Sequence, residues 1–155
     1  MKEIGIGILG FGFMGKAHTY GYQNMPLYYD DLPFRARLVG VCNRTLSKAE
    51  KAKEDLGFEF ATDDPEDLFK REDIDVINIC SPNNVHRDHV IGALKAGKHV
   101  YCDKPLTATY DESREILKVL ETTDLITQMA FQTRFFPATL KAKSLVDEGF
   151  LGNVL

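Results

Sequence analysis

Cysteine is scarce: Cys42, Cys80 and Cys102 are odd in number and widely spaced along 155 residues. That pattern excludes a disulfide framework and a paired-thiolate zinc set, and reads as reduced thiols at the ends of apolar runs in a cytoplasmic protein. Long hydrophobic runs are missing too, with none approaching the roughly 18 apolar residues of a membrane span. The opening Met1-Lys2-Glu3-Ile4 has no signal-peptide apolar region and enters a strand at once. Positive charge is outweighed, 19 Lys and Arg against 23 Asp and Glu, for a net charge of −4. A nucleic-acid surface calls for a basic face, so neither nucleic acid nor membrane is expected as a partner. No HExxH, paired cysteine ligand set or Ser-His-Asp order occurs, so a metal site and hydrolase chemistry find no support. Internal repeats and low-complexity tracts are also absent.

What is present is an ordinary globular balance, 44% hydrophobic and 27% charged, in a length that suits one well-packed domain. Apolar runs of strand length recur at Ile4–Leu9, Leu38–Cys42, Val76–Cys80, Val100–Cys102 and Leu125–Ala130. They are continuous rather than alternating, as parallel strands covered on both faces require. Helix signals lie between them. Met14–Asn24 is one, and Ser47-Lys48-Ala49-Glu50 has capping-box form before Ala52, Leu56 and the stop at Gly57. Val90, Ala93 and Leu94 precede Gly97, and Thr109-Tyr110-Asp111-Glu112 is a second capping box. Strand alternating with helix predicts right-handed βαβ units and a Rossmann-type α/β fold, a doubly wound parallel sheet.

Residues 10–15 read Gly10-Phe11-Gly12-Phe13-Met14-Gly15 directly after the first apolar run. A glycine-spaced turn between a buried strand and a helix lets bare backbone approach a pyrophosphate. The first glycine makes the turn, the second admits the phosphates, and the third lets the helix pack on the strand. Dinucleotide binding is the reading of this segment; a turn made only for packing is the other.

NAD sites usually hold the adenosine ribose with an acidic residue about 20 positions beyond the glycines. Asp30 and Asp31 fit that count but precede the second strand, inside Met25–Pro33, a proline-bracketed insertion. The residues following the second strand are Asn43-Arg44-Thr45, without a carboxylate. A guanidinium there suits the 2′-phosphate of NADP or stacks on adenine, with neutral hydrogen bonds from Asn43 and Thr45. NADP is slightly favoured over NAD; an exposed charge near a helix start is the alternative reading of Arg44.

Two further segments sit at carboxyl ends of predicted strands, where open α/β sheets keep their ligands: Ser81-Pro82-Asn83-Asn84-Val85-His86 and Cys102-Asp103-Lys104-Pro105-Leu106. A proline fixes its own φ and restricts the residue before it, so Lys104 is aimed. Near a nicotinamide, its ammonium polarises a substrate oxygen or relays its proton. His86 divides between helix-start structure and site, His18 between packing and site, and His89 and His99 read as structural or surface groups.

The glycine turn, His18, Ser81-Pro82…His86 and Gly97-Lys98-His99-Val100-Tyr101-Cys102-Asp103-Lys104-Pro105-Leu106 together resemble the Gfo/Idh/MocA family of oxidoreductases. Gln132-Thr133-Arg134-Phe135-Phe136-Pro137 and Gly149–Val154 look like that family's entry into its second domain. The resemblance covers essentially the whole chain. It implies hydride transfer between NAD(P) and a hydroxyl or carbonyl carbon of a sugar, inositol or related small molecule. It also implies that Gly10, Gly12 and Gly15 shape the pyrophosphate turn, with Phe11, Phe13 and Met14 beside it. By the same resemblance Arg44 sits at the ribose, and Ser81, Pro82 and Asn83 line the cofactor. His86 lies near the nicotinamide side. Lys104 is the lysine of the Glu-Lys-Pro signature, Pro105 sets the nicotinamide, and Gln132 and Arg134 lie at the wall between domains. Asp103 stands where that signature has glutamate, one methylene longer. The family's second domain supplies an acid–base histidine, the substrate pocket and commonly the oligomer contact, so a homo-oligomer is implied for the complete protein. Residues 1–134 are expected to form the nucleotide-binding domain, and 135–155 the start of an α+β domain in a truncated chain. Pro137–Glu148 reads as an amphipathic helix and Gly152-Asn153-Val154-Leu155 as a strand beginning. Weak self-association through Phe135, Phe136 and Leu140 is expected. A non-catalytic NAD(P) sensor is the alternative to an enzyme.

Overall fold

The computed structural model describes residues 1–153. Six strands form one sheet: β1 (Lys2–Leu9), β2 (Phe34–Cys42), β3 (Phe60–Thr62), β4 (Val76–Ile79), β5 (His99–Asp103) and β6 (Thr127–Ala130). Their order is β3-β2-β1-β4-β5-β6. All five pairings are parallel. The continuous apolar runs have their cause here. Ile8, Val39, Val41, Ile77 and Ile79 are wholly buried because helices cover both faces of the sheet.

Six helices accompany the strands: α1 (Phe13–Tyr28), α2 (Leu46–Leu56), α3 (Pro65–Phe69), α4 (His86–Lys95), α5 (Tyr110–Leu120) and α6 (Pro137–Asp147). On one face, Tyr22 of α1 and Ala49 and Ala52 of α2 pack with Ile6, Ile8 and Val41. On the other, Leu68 and Phe69 of α3, Val90 and Ala93 of α4 and Ile116 of α5 pack with Val39, Ile77 and Ile79. The chain leaves β1 to pair on one side with β2 and on the other with β4. Beyond the carboxyl ends of β1 and β4 the loops therefore part, and a crevice opens at this switch point.

Several local expectations need correction. The predicted insertion at Met25–Pro33 is half helix: α1 runs to Tyr28 with Pro26 in its last turn, and the Tyr29 N–H closes onto the Met25 carbonyl. Pro26 has no N–H to give the Tyr22 carbonyl, and the helix ends two residues beyond it. Asp30 and Asp31 fall in the turn before β2, at the sheet edge opposite the crevice. The capping box at Ser47 does not form. Asn43 Oδ1 accepts the Thr45 N–H at 3.2 Å, an Asx turn that starts the helix early, so Thr45 is the N-cap and Ser47 lies inside α2. The second capping box is present, with Thr109 and Glu112 accepting each other's backbone N–H groups. β3 and α3 were not anticipated. α6 forms, but none of its residues is buried, so its apolar stripe is uncovered among the described residues. The strand expected at Gly152-Asn153-Val154-Leu155 reaches outside the described residues.

Candidate nucleotide site

A cavity of about 780 Å³ occupies the crevice, a size typical of ligand pockets. Its floor is the carboxyl ends of four strands, at Leu9, Cys42, Cys80 and Asp103. Backbone bonds stitch this floor together: Gly10 N–H donates to the Cys42 carbonyl at 2.9 Å, and Cys80 N–H to the Leu9 carbonyl at 2.7 Å. One wall is the glycine turn. Gly10 has φ +96°, and a Cβ there would lie 2.5 Å from the Ser81 nitrogen, so only glycine holds this position. A Cβ on Gly15 would meet the Gly10 carbonyl oxygen at 2.2 Å, so a bare Cα lets α1 close on the turn. Gly12 differs, because a Cβ there would meet nothing within 4 Å. It is the N-cap of α1 and lines the crevice, with open space where a side chain would stand. The first N–H groups of α1 lack partners within the helix and carry the positive end of its dipole, so this wall presents donors to an anion.

The β2 end of the crevice carries Asn43, Arg44 and Lys48, with Asp63 across from them after β3. Asn43 is fixed by its backbone N–H to the Thr62 carbonyl and by its amide to the Phe11 carbonyl at 3.4 Å. The β4 end carries Ser81, Pro82, Asn84 and Val85. Ser81 Oγ lies 2.9 Å from His89 Nδ1. Burial, and then the neighbouring His86, push His89 below the usual histidine range, so its neutral form is favoured. Burial likewise drives the Cys42 and Cys80 thiols up to about 12, so neither offers a thiolate nucleophile or metal ligand near neutrality. Among the described residues no group of three potential metal ligands occurs, and no helix is long and apolar enough to cross a membrane.

Asp103 ends β5, is 8% exposed, and accepts the backbone N–H of Lys104 at 2.8 Å. The shorter carboxylate thus braces the lysine's main chain, while the Lys104 side chain stands exposed beside the crevice. The Lys104–Pro105 peptide is cis.

Of the residues singled out in the sequence, the cavity gathers Gly10, Phe11, Gly12, Phe13, Met14, Asn43, Arg44, Ser81, Pro82 and Asp103. Gly15 and Thr45 support it from behind as helix-closing glycine and N-cap. Asn83 is exposed in the short turn Asn83–Val85, Lys104 and Pro105 stand outside the lining, and Gln132 and Arg134 lie on the exposed turn Gln132–Phe135. Of the two histidines of α4, His86 takes its helix-start structural reading, whereas His89, expected as a structural or surface group, borders the crevice. His86 is wholly buried with both ring nitrogens against carbonyl oxygens. His18 Nδ1 sits 2.9 Å from Oδ1 of the buried Asn78, which also accepts from Tyr22. Sequence reasoning missed Lys48, Asp63 and Asn84. Lys48 carried a signal, one helical turn past Arg44; Asp63 did not, since its strand has three residues.

Residues 4–131 match the family described as an oxidoreductase family with an NAD-binding Rossmann fold. The chain belongs to the Gfo/Idh/MocA oxidoreductases. Within that family it is 36% identical to levoglucosan dehydrogenase of Pseudarthrobacter phenanthrenivorans, over all of this chain and 40% of the relative. It is 31% identical to the NAD(+)-dependent scyllo-inositol 2-dehydrogenase of Bacillus subtilis, over 97% of this chain and 42% of the relative. A solved levoglucosan dehydrogenase in complex with NADH and levoglucosan superposes with a TM-score of 0.94 at 33% identity, over 99% of this chain and 42% of that one. The chain thus spans about 40% of the length of the Gfo/Idh/MocA relatives it matches. In family terms it is an NAD-binding Rossmann domain.

Proposed function

We propose that this chain is the nucleotide-binding part of an NAD(P)-dependent oxidoreductase that moves a hydride between a nicotinamide and the hydroxyl or carbonyl carbon of a sugar or polyol. The observation that carries this reading is Gly12. It is the one glycine of the turn whose missing side chain leaves open space, at the donor-rich start of α1 beside the crevice. A pyrophosphate fits that opening, held by backbone N–H groups at Phe13, Met14 and Gly15. Residues 1–134 then form the nucleotide-binding domain, and 135 onward leads into a substrate domain.

When bound, the nicotinamide supplies or accepts the hydride. The chain's own residues do the rest. Ser81 and Pro82 wall the crevice toward its β4 end. Lys104 reaches the substrate oxygen and relays the proton that the hydroxyl loses on oxidation and the carbonyl gains on reduction. Asp103 holds the lysine's backbone. His86, Pro105, Gln132 and Arg134 support the nicotinamide side. At the adenosine end, Arg44 and Lys48 bring two cations and Asp63 one carboxylate. Two exposed cations contribute up to about 1 kcal/mol each to a 2′-phosphate, which favours NADP by several-fold over NAD. Small-molecule substrate, cytoplasmic setting and a homo-oligomeric complete protein follow from the same reading.

The test is a side-by-side calorimetric titration with NADPH and NADH. NADPH several-fold tighter supports Arg44 and Lys48 as 2′-phosphate readers. Equal binding returns Arg44 to adenine stacking, and absence of binding to either refutes the nucleotide assignment.

A further inference from the structure

His86 is at the start of α4, wholly buried, and placed between two turns that border the crevice. Its Nδ1 lies 2.8 Å from the Pro105 carbonyl oxygen, and its Nε2 lies 2.8 Å from the Ser81 carbonyl oxygen. A carbonyl oxygen only accepts, and a neutral imidazole has only one N–H to give. With one hydrogen, one of these contacts would press a ring lone pair against a carbonyl lone pair where no water reaches. Two acceptors at this distance call for two donors.

The surroundings agree. The Cys102 thiol is the other group that approaches Nδ1, at 3.5 Å, but it lies closer to the Asp103 carbonyl, at 3.3 Å, and has one hydrogen to direct. Burial pushes that thiol up to about 12, so it keeps the hydrogen and brings no negative charge. His89, one turn along α4, is pushed toward its neutral form partly by His86. The Asp103 carboxylate of β5 accepts the Lys104 N–H, and Arg87 with Glu115 forms a mutually satisfied pair between α4 and α5. No buried side-chain nitrogen or oxygen is left without a partner among the described residues.

We propose that His86 carries hydrogen on both ring nitrogens and clamps the Ser81 turn to the Pro105 turn, and that it is a positioning residue for Lys104. The chain geometry makes the second half specific. Lys104 is held on its amino side by its own N–H to Asp103 Oδ1 and on its carboxyl side through the Pro105 carbonyl. Ser81 is held through its carbonyl by His86 and through its hydroxyl by His89. One ring therefore sets the distance between the wall of the crevice and the base of the lysine. This second half rests on the role of Lys104 proposed above; the clamp itself does not.

The test is a long-range proton–nitrogen correlation spectrum of the chain labelled with ¹⁵N-histidine, at neutral pH. His86 is assigned by connecting its ring to its own backbone amide in a sample also labelled with ¹³C. Both His86 nitrogens should fall in the protonated range, with a slowly exchanging ring N–H. A single nitrogen in the unprotonated range would overturn the clamp, and this reading on the unmutated chain does not require any variant to fold. In the chain completed to the length of its relatives, His86→Gln should lower kcat tenfold or more while KM for the substrate stays within about threefold. An unchanged kcat would overturn the positioning role. If Lys104→Ala instead left turnover intact, the lysine's role would fall while the two-donor spectrum stood.

Discussion

Gly12→Ala separates ligand binding from folding more cleanly than any other single change in this domain. The added Cβ would meet nothing within 4 Å, and the residue sits at an extended φ of −88°. The folded protein therefore has room for it. The residual cost is that of alanine at an N-cap, about 0.5–1 kcal/mol, which lowers Tm by roughly 2–4 °C in a domain of this size. A pyrophosphate bonded to the first N–H groups of α1 has no such room, because it would occupy the space the Cβ enters. Losing even one charge-assisted bond of about 1.5–3 kcal/mol weakens affinity tenfold or more. Gly15→Ala is the control, since its Cβ would lie 2.2 Å from the Gly10 carbonyl oxygen. Backbone must move there, at about 1–3 kcal/mol, so that variant should lose Tm first. Differential scanning fluorimetry with and without NADH reads both quantities in one plate. A Gly12→Ala protein that kept its parent's ligand-induced shift would refute the placement of the phosphates.

Three further outcomes are expected. If the proposed role of Lys104 holds, Lys104→Ala in a protein of its relatives' length should lower kcat by about 10²–10⁴, the usual contribution of a positioned proton donor, with NADH affinity nearly unchanged in fluorescence titration. Thr109→Ala removes the hydroxyl that caps α5 and should cost about 1 kcal/mol in urea unfolding, with no effect on NADH binding. Cys42, Cys80 and Cys102 are each raised from 9.0 to about 12 by burial. Their contribution to stability is complete below pH 9 and is lost as pH rises toward 12, because the unfolded chain releases thiol protons first. The urea midpoint should therefore fall above pH 9, and Cys102, buried away from the crevice, should react with an aromatic disulfide reagent at pH 8 only as fast as the chain opens. Rapid labelling of Cys102 in the folded protein would contradict this.

The sheet was legible because its strands announce themselves: a run such as Leu38-Val39-Gly40-Val41-Cys42 has no polar face to offer water. The glycine turn was equally plain, since its spacing encodes contacts between backbones a few residues apart. β3 was invisible because three residues, Phe60-Ala61-Thr62, carry no periodicity, although Asp64-Pro65 just after it is a legible helix start. The false start at Ser47 came from reading a cap by spacing alone, when the Asx turn of Asn43 acts two residues sooner. The placing of His86 and His89 was beyond sequence reasoning. Three residues apart on one helix, they differ only in which meets the Pro105 turn, a contact made across 19 positions.

The lining of the crevice begins at Leu9 and ends at Asp103. On a ribosome adding about 5–20 residues per second, the last residue of that lining is added about two-thirds of the way along this chain. β6 and α6 contribute nothing to that lining. A nucleotide bound to that lining stabilises the fold by mass action, and the turn that carries Gln132 and Arg134 is synthesised after every residue of the lining.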